Sequence, residues 1–534
     1  MARIAPLASP PRNVGQHLTS LNVQSLKVNA MANHLFDLIR SRAPALDKAF
    51  AYLPDGTTVT YGDMLDHSAR YANALTAHWV KPGDRVAVQV EKSIDAVMVY
   101  LACVRAGAVF LPLNTAYTPA EVEYFITDAE ATLFVCDPAR AHALRPVAEK
   151  AHAALETLGT KGDGTLAAIA GQSSTDFDCH PRGPDDLAAI LYTSGTTGRS
   201  KGAMLSHENL ASNARTLVEY WRFTAGDVLI HALPIYHTHG LFVATNVILL
   251  SGASMHFLPK LDADLMLKLM ATSTTMMGVP TFYTRLLQHP GLTKEATKTM
   301  RLFISGSAPL LAETHREWQE RTGHAILERY GMTETNMNTS NPYDGERIAG
   351  TVGFPLPGVE VRVANPETGA LLPQGEIGVL EVRGPNVFQG YWRMPEKTAS
   401  EFRDGRWFIT GDLGMIDARG YVSIVGRGKD LVITGGFNVY PKEVETEIDS
   451  IPGVIESAVI GVAHPDFGEG VTAVVVKKKD AALTEAGITS HLETRLAKFK
   501  QPKRVFFVED LPRNTMGKVQ KNVLRDTYKD IYKS

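Results

Sequence analysis

Residues 187–202 read LAAILYTSGTTGRSKG, an apolar run that opens straight into a loop of glycines, small hydroxylated residues and one lysine. The run from Leu187 to Tyr192 has the character of a buried strand. Gly195, Gly198 and Gly202 let the loop fold back through conformations closed to other residues. Its backbone N–H groups and the hydroxyls of Thr193, Ser194, Thr196, Thr197 and Ser200 can then converge on phosphate oxygens, and Lys201 adds a mobile positive charge. The spacing is not that of the P-loop. A solvated linker is the plain alternative, yet linkers rarely follow an apolar strand directly.

Outward from this loop the chain alternates between helix and strand. On its N-terminal side lie a helical pattern at 31–44, a turn at Pro54-Asp55-Gly56, a helix opening at Thr60, the strand RVAVQV at 85–90, and helix-to-strand passages after Ser93 and Glu121. This order predicts an α/β architecture with parallel sheets. The polar, glycine-bearing interval 159–184 reads as a surface excursion. On the C-terminal side, Ser206 is the expected N-cap of HENLASNARTLVEYW, with Glu208 in its first turn. Strand-and-turn units continue through PIYHTHG, MMGVPTFYTRLL, RLFISGSAPL and GHAILERYGMTE, and Leu241 to Leu250 suits a buried helix. Beyond Gly350, short β-branched segments between frequent turns predict a small β-rich subdomain. The expected division is a weakly ordered leader at 1–30, a large α/β domain at 31–426 whose 350–426 part is β-rich, a hinge at 427–430, and a mobile α+β lid at 431–534.

A chain of 534 residues exceeds one ordinary domain. Its formal net charge of −3 argues against generic nucleic-acid binding. Cys103, Cys136 and Cys179 are too few and too scattered for a disulfide framework or a cysteine zinc cluster. No apolar segment reaches the roughly 20 residues of a membrane span. A cytoplasmic location is expected. Arg3, Arg12 and Lys27, unaccompanied by an acid, leave organellar targeting open, although Pro6, Pro10 and Pro11 weigh against it.

YTSGTTGRSKG at 192–202 resembles the signature loop of the adenylate-forming enzymes: acyl-CoA synthetases, luciferases and peptide-synthetase adenylation domains. Further blocks of that pattern follow in order, so the resemblance covers nearly the whole chain from about residue 31. Within the family it is to the malonyl-CoA synthetases. It implies ATP, malonate and coenzyme A as small-molecule substrates, Mg2+ as cofactor, and malonyl-adenylate as intermediate, with AMP and diphosphate released. The oligomeric state stays open. Ligases for methylmalonate or for another small or aryl acid, a carrier-loading enzyme, and a noncatalytic nucleotide-binding regulator are the alternatives.

Several positions carry the chemistry. In ERYGMTET, Tyr330 can stack on a base, Thr333 can bond phosphate, and Glu334 can offer an oxygen to Mg2+. The resemblance extends nucleotide contact to Glu328, Gly331 and Met332, and gives Thr193, Lys201, Glu334 and Lys518 the catalytic work. The small-residue turn containing Ser307 and Ala308 resembles the adenine-side loop. Asp412, just beyond a strand, can accept ribose hydroxyls; the resemblance adds Arg427 at the nucleotide and Lys429 as the hinge. Lys518 is presented by the turn at Gly517 in PRNTMGKVQK and corresponds to the adenylation lysine. Gly435 and Gly436 correspond to the route for the coenzyme A thiol. At the acid end, His237, Ser307 and Arg285 are the candidates. A desolvated arginine there demands an acidic partner, which a second carboxylate supplies. The resemblance makes Arg285 the malonate clamp.

Overall fold

The computed structural model describes residues 33–193, 200–434, 437–493, 495–496, 498–514 and 517–532. The leader at 1–30, the loop residues Ser194, Gly195, Thr196, Thr197 and Gly198, and the pair Gly435 and Gly436 therefore lie outside the described residues.

The strand from the signature loop, Leu187–Thr193, sits inside a seven-stranded sheet. It pairs in parallel with Val109–Pro112, and parallel pairing continues through Arg85–Gln89 and Ala131–Cys136 to Ala154–Thr157. On its other side Lys201–Ser206 returns antiparallel, with Thr193 opposite Lys201. Val86, Ala87, Leu133 and Phe134 are all buried, as strands covered on both faces require. A second sheet of nine strands has a parallel centre. Its strands Leu327–Met332, Leu302–Ser305, Thr275–Gly278 and Val228–His231 lie side by side with their carboxyl ends together.

Caps explain where the main helices begin. Thr60 and Asp63 exchange hydrogen bonds at the start of Tyr61–Ala77, and Ser206 does the same with Asn209 at the start of His207–Tyr220. The interval 159–184 is more than a surface excursion. It holds a helix, Thr165–Gln172, that buries Leu166 and Ala170, an apolar pair one turn apart and too short a stripe to register as periodicity. The run expected as one buried helix is a π-helical turn, His239–Thr245, continuing into the α-helix Asn246–Ser251. Such wide turns recur at functional sites.

The β-rich part is an antiparallel sheet built from Glu360–Ala364, Gly378–Arg383, Trp407–Ile416, Phe402–Arg403 and Val422–Arg427. Gly390–Tyr391 leaves this unit and pairs with Lys201–Ser206 of the seven-stranded sheet. After a short 3-10 turn at Gly428–Asp430, a separate mixed sheet carries apolar clusters on both faces. Val432, Ile448, Val459 and Val475 belong to one cluster; Ala458, Ile460, Val474 and Leu524 belong to the other. The result is α/β for the large part, a smaller β-rich region, and a distinct α+β region at the C-terminal end. The last approaches the first closely: a Cβ added at Gly517 would meet Thr281 Cγ2 at 3.0 Å.

Candidate active site

Open α/β sheets bind ligands outside the carboxyl ends of their strands. Here those ends deliver His231, Gly278, Ser305 and the segment 328–332 to one region.

The nucleotide-side residues form a connected set. Lys201 Nζ lies 4.2 Å from the ring centroid of Tyr391 and 3.7 Å from Glu401 Oε1. The Tyr391 hydroxyl donates to Glu334 Oε1 at 3.0 Å. Glu334 is buried, which pushes its carboxyl up against the pull of Tyr391, Arg427 and Lys201. Asp412 is buried and already engaged, accepting from the Tyr330 hydroxyl and pairing with Arg427 across the strands. Burial opposes the Arg427 charge, but Asp412, Tyr330 and Glu334 hold its pKa above the ordinary value. The hairpin that follows Tyr330 is tight: a Cβ at Gly331 would meet Asn336 O at 1.9 Å, so only glycine fits. Met332 and Thr333 are half-buried at its tip. Glu328, its carboxyl pushed up by burial, instead bonds His315 Nδ1 at 3.3 Å and accepts from Gly350 N.

Lys518 belongs to the C-terminal region. Gly517 takes a φ of +74°, and Asn514 holds the turn by accepting from Lys518 N at 2.9 Å. The side chain is open to solvent, yet burial and Arg427 bring its pKa down to about 8, with Asp412 opposing. Both observations fit a lysine projecting into a cleft, accessible while walled by protein. Lys429 is exposed on the short turn, with its pKa lowered by burial.

At the acid end, the turn containing His237 and His239 is anchored by His231, whose Nε2 lies 2.9 Å from Gly240 O. Glycine is obligatory there, since a Cβ would meet Pro234 O at 2.1 Å. Burial makes both histidines poor bases: His237 falls to about 4 and His239 well below its ordinary value. Ser307 adopts a φ of +72°, a strained geometry for a residue with a side chain, and its Oγ lies 3.2 Å from His239 Nδ1. Ala308 is half-buried beside it.

Arg285 is not the desolvated arginine expected at the acid end. Arg285 is exposed, on the helix Pro280–Leu287. It shares a face with Thr281, one turn earlier, which meets Gly517. The arginine buried at this end is Arg329, 3% exposed and neighbouring the same turn as Ser307. Sequence reasoning passed over Arg329 because it stands inside a nucleotide motif, and Tyr391 because nothing local marks a lone tyrosine after a glycine. The burial of LERYGM as a strand was the available signal for the first. The second depends wholly on tertiary pairing.

Among the described residues no group of three or more His, Cys, Asp or Glu is poised for a metal. A Mg2+ ion held by one carboxylate, phosphate oxygens and water needs no such group, and the Glu334 carboxylate fits that donor set.

An AMP-binding enzyme model matches residues 40–392, and an AMP-binding enzyme C-terminal domain model matches 443–518. The chain belongs to the AMP-binding enzyme family. This AMP-binding enzyme is similar to ATP-bound MatB from Rhodopseudomonas palustris, with 65% identity, 94% of this chain and 100% of that chain covered, and a TM-score of 0.93. Against apo MatB, at the same identity and coverage, the TM-score is 0.82. The overall arrangement thus resembles the ATP-bound form more than the apo form. Among curated proteins, a malonate–CoA ligase of Arabidopsis thaliana is 34% identical, covering 83% of this chain and 78% of its own length. A feruloyl-CoA synthase of an Amycolatopsis species is 35% identical, covering 91% and 97%. No described helix of this AMP-binding enzyme is long and apolar enough to cross a membrane.

Proposed function

We propose that this chain is an AMP-forming malonate–CoA ligase. Identity to curated relatives does not by itself choose between malonate and an aryl acid, so the choice rests on the acid end. That end is polar: His237 Nε2, His239 Nε2, Ser305 Oγ and two nitrogens of Arg329 are buried without a hydrogen-bond partner among the described residues. An aryl group placed there would leave those atoms unsatisfied, at a cost of about 1–3 kcal/mol each. A short acid bearing a second carboxylate can bond to them.

In the first step a malonate carboxylate oxygen attacks the α-phosphorus of ATP. The bond to the departing diphosphate breaks, leaving malonyl-adenylate. In the second, the thiol of coenzyme A attacks the acyl carbon and AMP leaves. Thr193 and Lys201 are proposed to hold phosphate oxygens, with Lys201 exchanging its weak contact with Glu401 for the nucleotide. Ser307 and Ala308 would border the adenine, Asp412 and Arg427 the ribose, and Glu334 would supply the protein oxygen to Mg2+, which neutralises phosphate charge when bound. Lys518, with its lowered pKa, would align the carboxylate and α-phosphate in the first step. Rotation about Lys429 would then open the thiol route.

The test is a panel of malonate, methylmalonate, propionate and ferulate supplied with Mg-ATP and coenzyme A, reading AMP and the mass of the thioester. Preference for malonate supports the assignment. Preference for propionate or ferulate would sink it.

A further inference from the structure

The loop that opens after Thr193 has both of its ends held from outside the hairpin that carries it. Across the stem, Thr193 faces Lys201, and the Thr193 hydroxyl reaches Lys201 O only at 3.5 Å, the outer limit of a hydrogen bond. Glycine has the most backbone freedom to lose when a ligand orders it. A stretch carrying Gly195, Gly198 and Gly202 therefore gains most from ends that are already fixed before the nucleotide arrives.

The groups that fix them come from one helix, Pro119–Asp128, far upstream of the loop. Its start is set by a capping box between Thr118 and Glu121, and Val122, Phe125 and Ile126 bury its apolar face. Tyr124 and Asp128 lie one turn apart on a single side of it, both half-buried. At the entry to the loop, the Asp128 carboxylate accepts from the Tyr192 hydroxyl at 2.5 Å. At the exit, the Tyr124 hydroxyl donates to Ser200 O at 2.7 Å. Asp128 O also accepts from Trp392 Nε1 at 3.0 Å, and Trp392 N in turn donates to Gly202 O at 2.7 Å. Ring packing backs these bonds, for the Tyr192 ring centroid lies 4.8 Å from that of Phe125 and 6.1 Å from that of Tyr124. A Cβ at Gly202 would meet Tyr192 Cζ and Trp392 Cβ, each at 3.3 Å, so entry and exit press against the same two rings.

We propose that Tyr124 and Asp128 are positioning residues for the phosphate loop: together they fix its two ends so that its backbone N–H groups and Lys201 are set to receive the phosphates of ATP. Each acts through the stem, by Ser200 O and by the Tyr192 hydroxyl, and not on the nucleotide itself. The inference rests on the loop as the phosphate site and holds whichever acid is activated. A general packing role for the helix is the competing account. The geometry disfavours it, because Val122, Phe125 and Ile126 already dock the helix, leaving the Tyr124 hydroxyl and the Asp128 carboxylate to serve the loop.

The test compares Tyr124→Phe with wild type in the exchange of pyrophosphate into ATP. It uses whichever of malonate, methylmalonate, propionate and ferulate turns over fastest, so its outcome stands apart from the malonate reading. The ATP KM is expected to rise about 3- to 10-fold, the scale of one lost hydrogen bond, with the acid KM within about twofold of wild type. Thioester formation from preformed adenylate should be unchanged. Asp128→Leu should behave alike, whereas Asp128→Asn, which keeps an acceptor for the Tyr192 hydroxyl, should recover most of the ATP KM. Without ATP, deuterium uptake by the amides of Leu187–Thr193 and Lys201–Ser206 should quicken in Tyr124→Phe, and ATP should slow it again. An ATP KM within about twofold of wild type in both Tyr124→Phe and Asp128→Leu overturns the inference. A loss shared equally by the ATP KM, the acid KM and the thioester step overturns it in favour of a packing role. Should Asp128→Leu fail to fold, Tyr124→Phe, which keeps the ring and its packing, decides alone.

Discussion

The two ends of the cleft treat charge in opposite ways. At the nucleotide end most charges already have company: Asp412 with Arg427 and Tyr330, Glu334 with Tyr391, and Lys201 with Glu401 and the Tyr391 ring. At the acid end the buried cation Arg329 has no counter-charge among the described residues, and the histidines near it are neutral. A paired site is stable when empty and must exchange partners when a ligand arrives. An unpaired site is costly when empty and is completed by the ligand's own charge, so the contrast predicts which end is tuned for selectivity.

The largest effect expected is at Lys518, which under the proposed function would serve the adenylation step common to every acid. Lys518→Ala should reduce adenylate formation by about 10²–10³-fold, the usual loss when one preorganised charge is removed from a transition state. Thioester formation from preformed malonyl-adenylate should fall far less, and comparable losses in both steps would contradict the role. Because the ammonium titrates near 8, its charged form is lost as pH rises through that value. The kcat/KM of adenylation should therefore show a basic limb near pH 8, and Lys518→Arg should move that limb upward.

Stability sharpens the comparison next. Asp412→Ala strands Arg427, 28% exposed in its side chain, and should cost about 3–5 kcal/mol, reduced by whatever solvent reaches the guanidinium. Arg329→Met removes a buried charge with no counter-charge among the described residues, so its melting temperature without ligand should match or exceed that of wild type. Denaturant titration of both variants checks the pair, and equal destabilisation would break the contrast.

Smaller effects belong to the rim. Arg285 is exposed, so Arg285→Ala should raise the malonate KM roughly 3- to 10-fold at low salt, with the difference shrinking at high salt as expected for a screened rim charge. A larger, salt-independent loss would make Arg285 the principal clamp and shift weight away from Arg329. Tyr391→Phe removes one hydrogen bond to Glu334 and should change the ATP KM by only a few-fold, in line with about 1 kcal/mol for such a bond.

Much of this was legible in the chain. The α/β alternation, the buried strand Leu187–Thr193, and the helix starts at Thr60 and Ser206 follow from local rules of periodicity and capping. Gly331 and Gly240 stand in motifs singled out from sequence, although the backbone oxygens that exclude a side chain at each were visible only in three dimensions. The helix at Thr165–Gln172 escaped because two buried apolar residues form no clear stripe.

The sequence by itself determined which residue types the chain brings to its chemistry: a glycine-rich, hydroxyl-bearing loop, an acidic residue in ERYGMTET, a lysine at a C-terminal turn. Those features rest on residue type and near-neighbour spacing, and both survive in a linear string. Only the tertiary structure decided which arginine loses its water. Arg285 and Arg329 are equally charged in the sequence, but one lies on an open helix face and the other beneath the turn at Gly306. The energy of a charge depends on the solvent and counter-charges around it, and those are assembled from strands far apart in the chain.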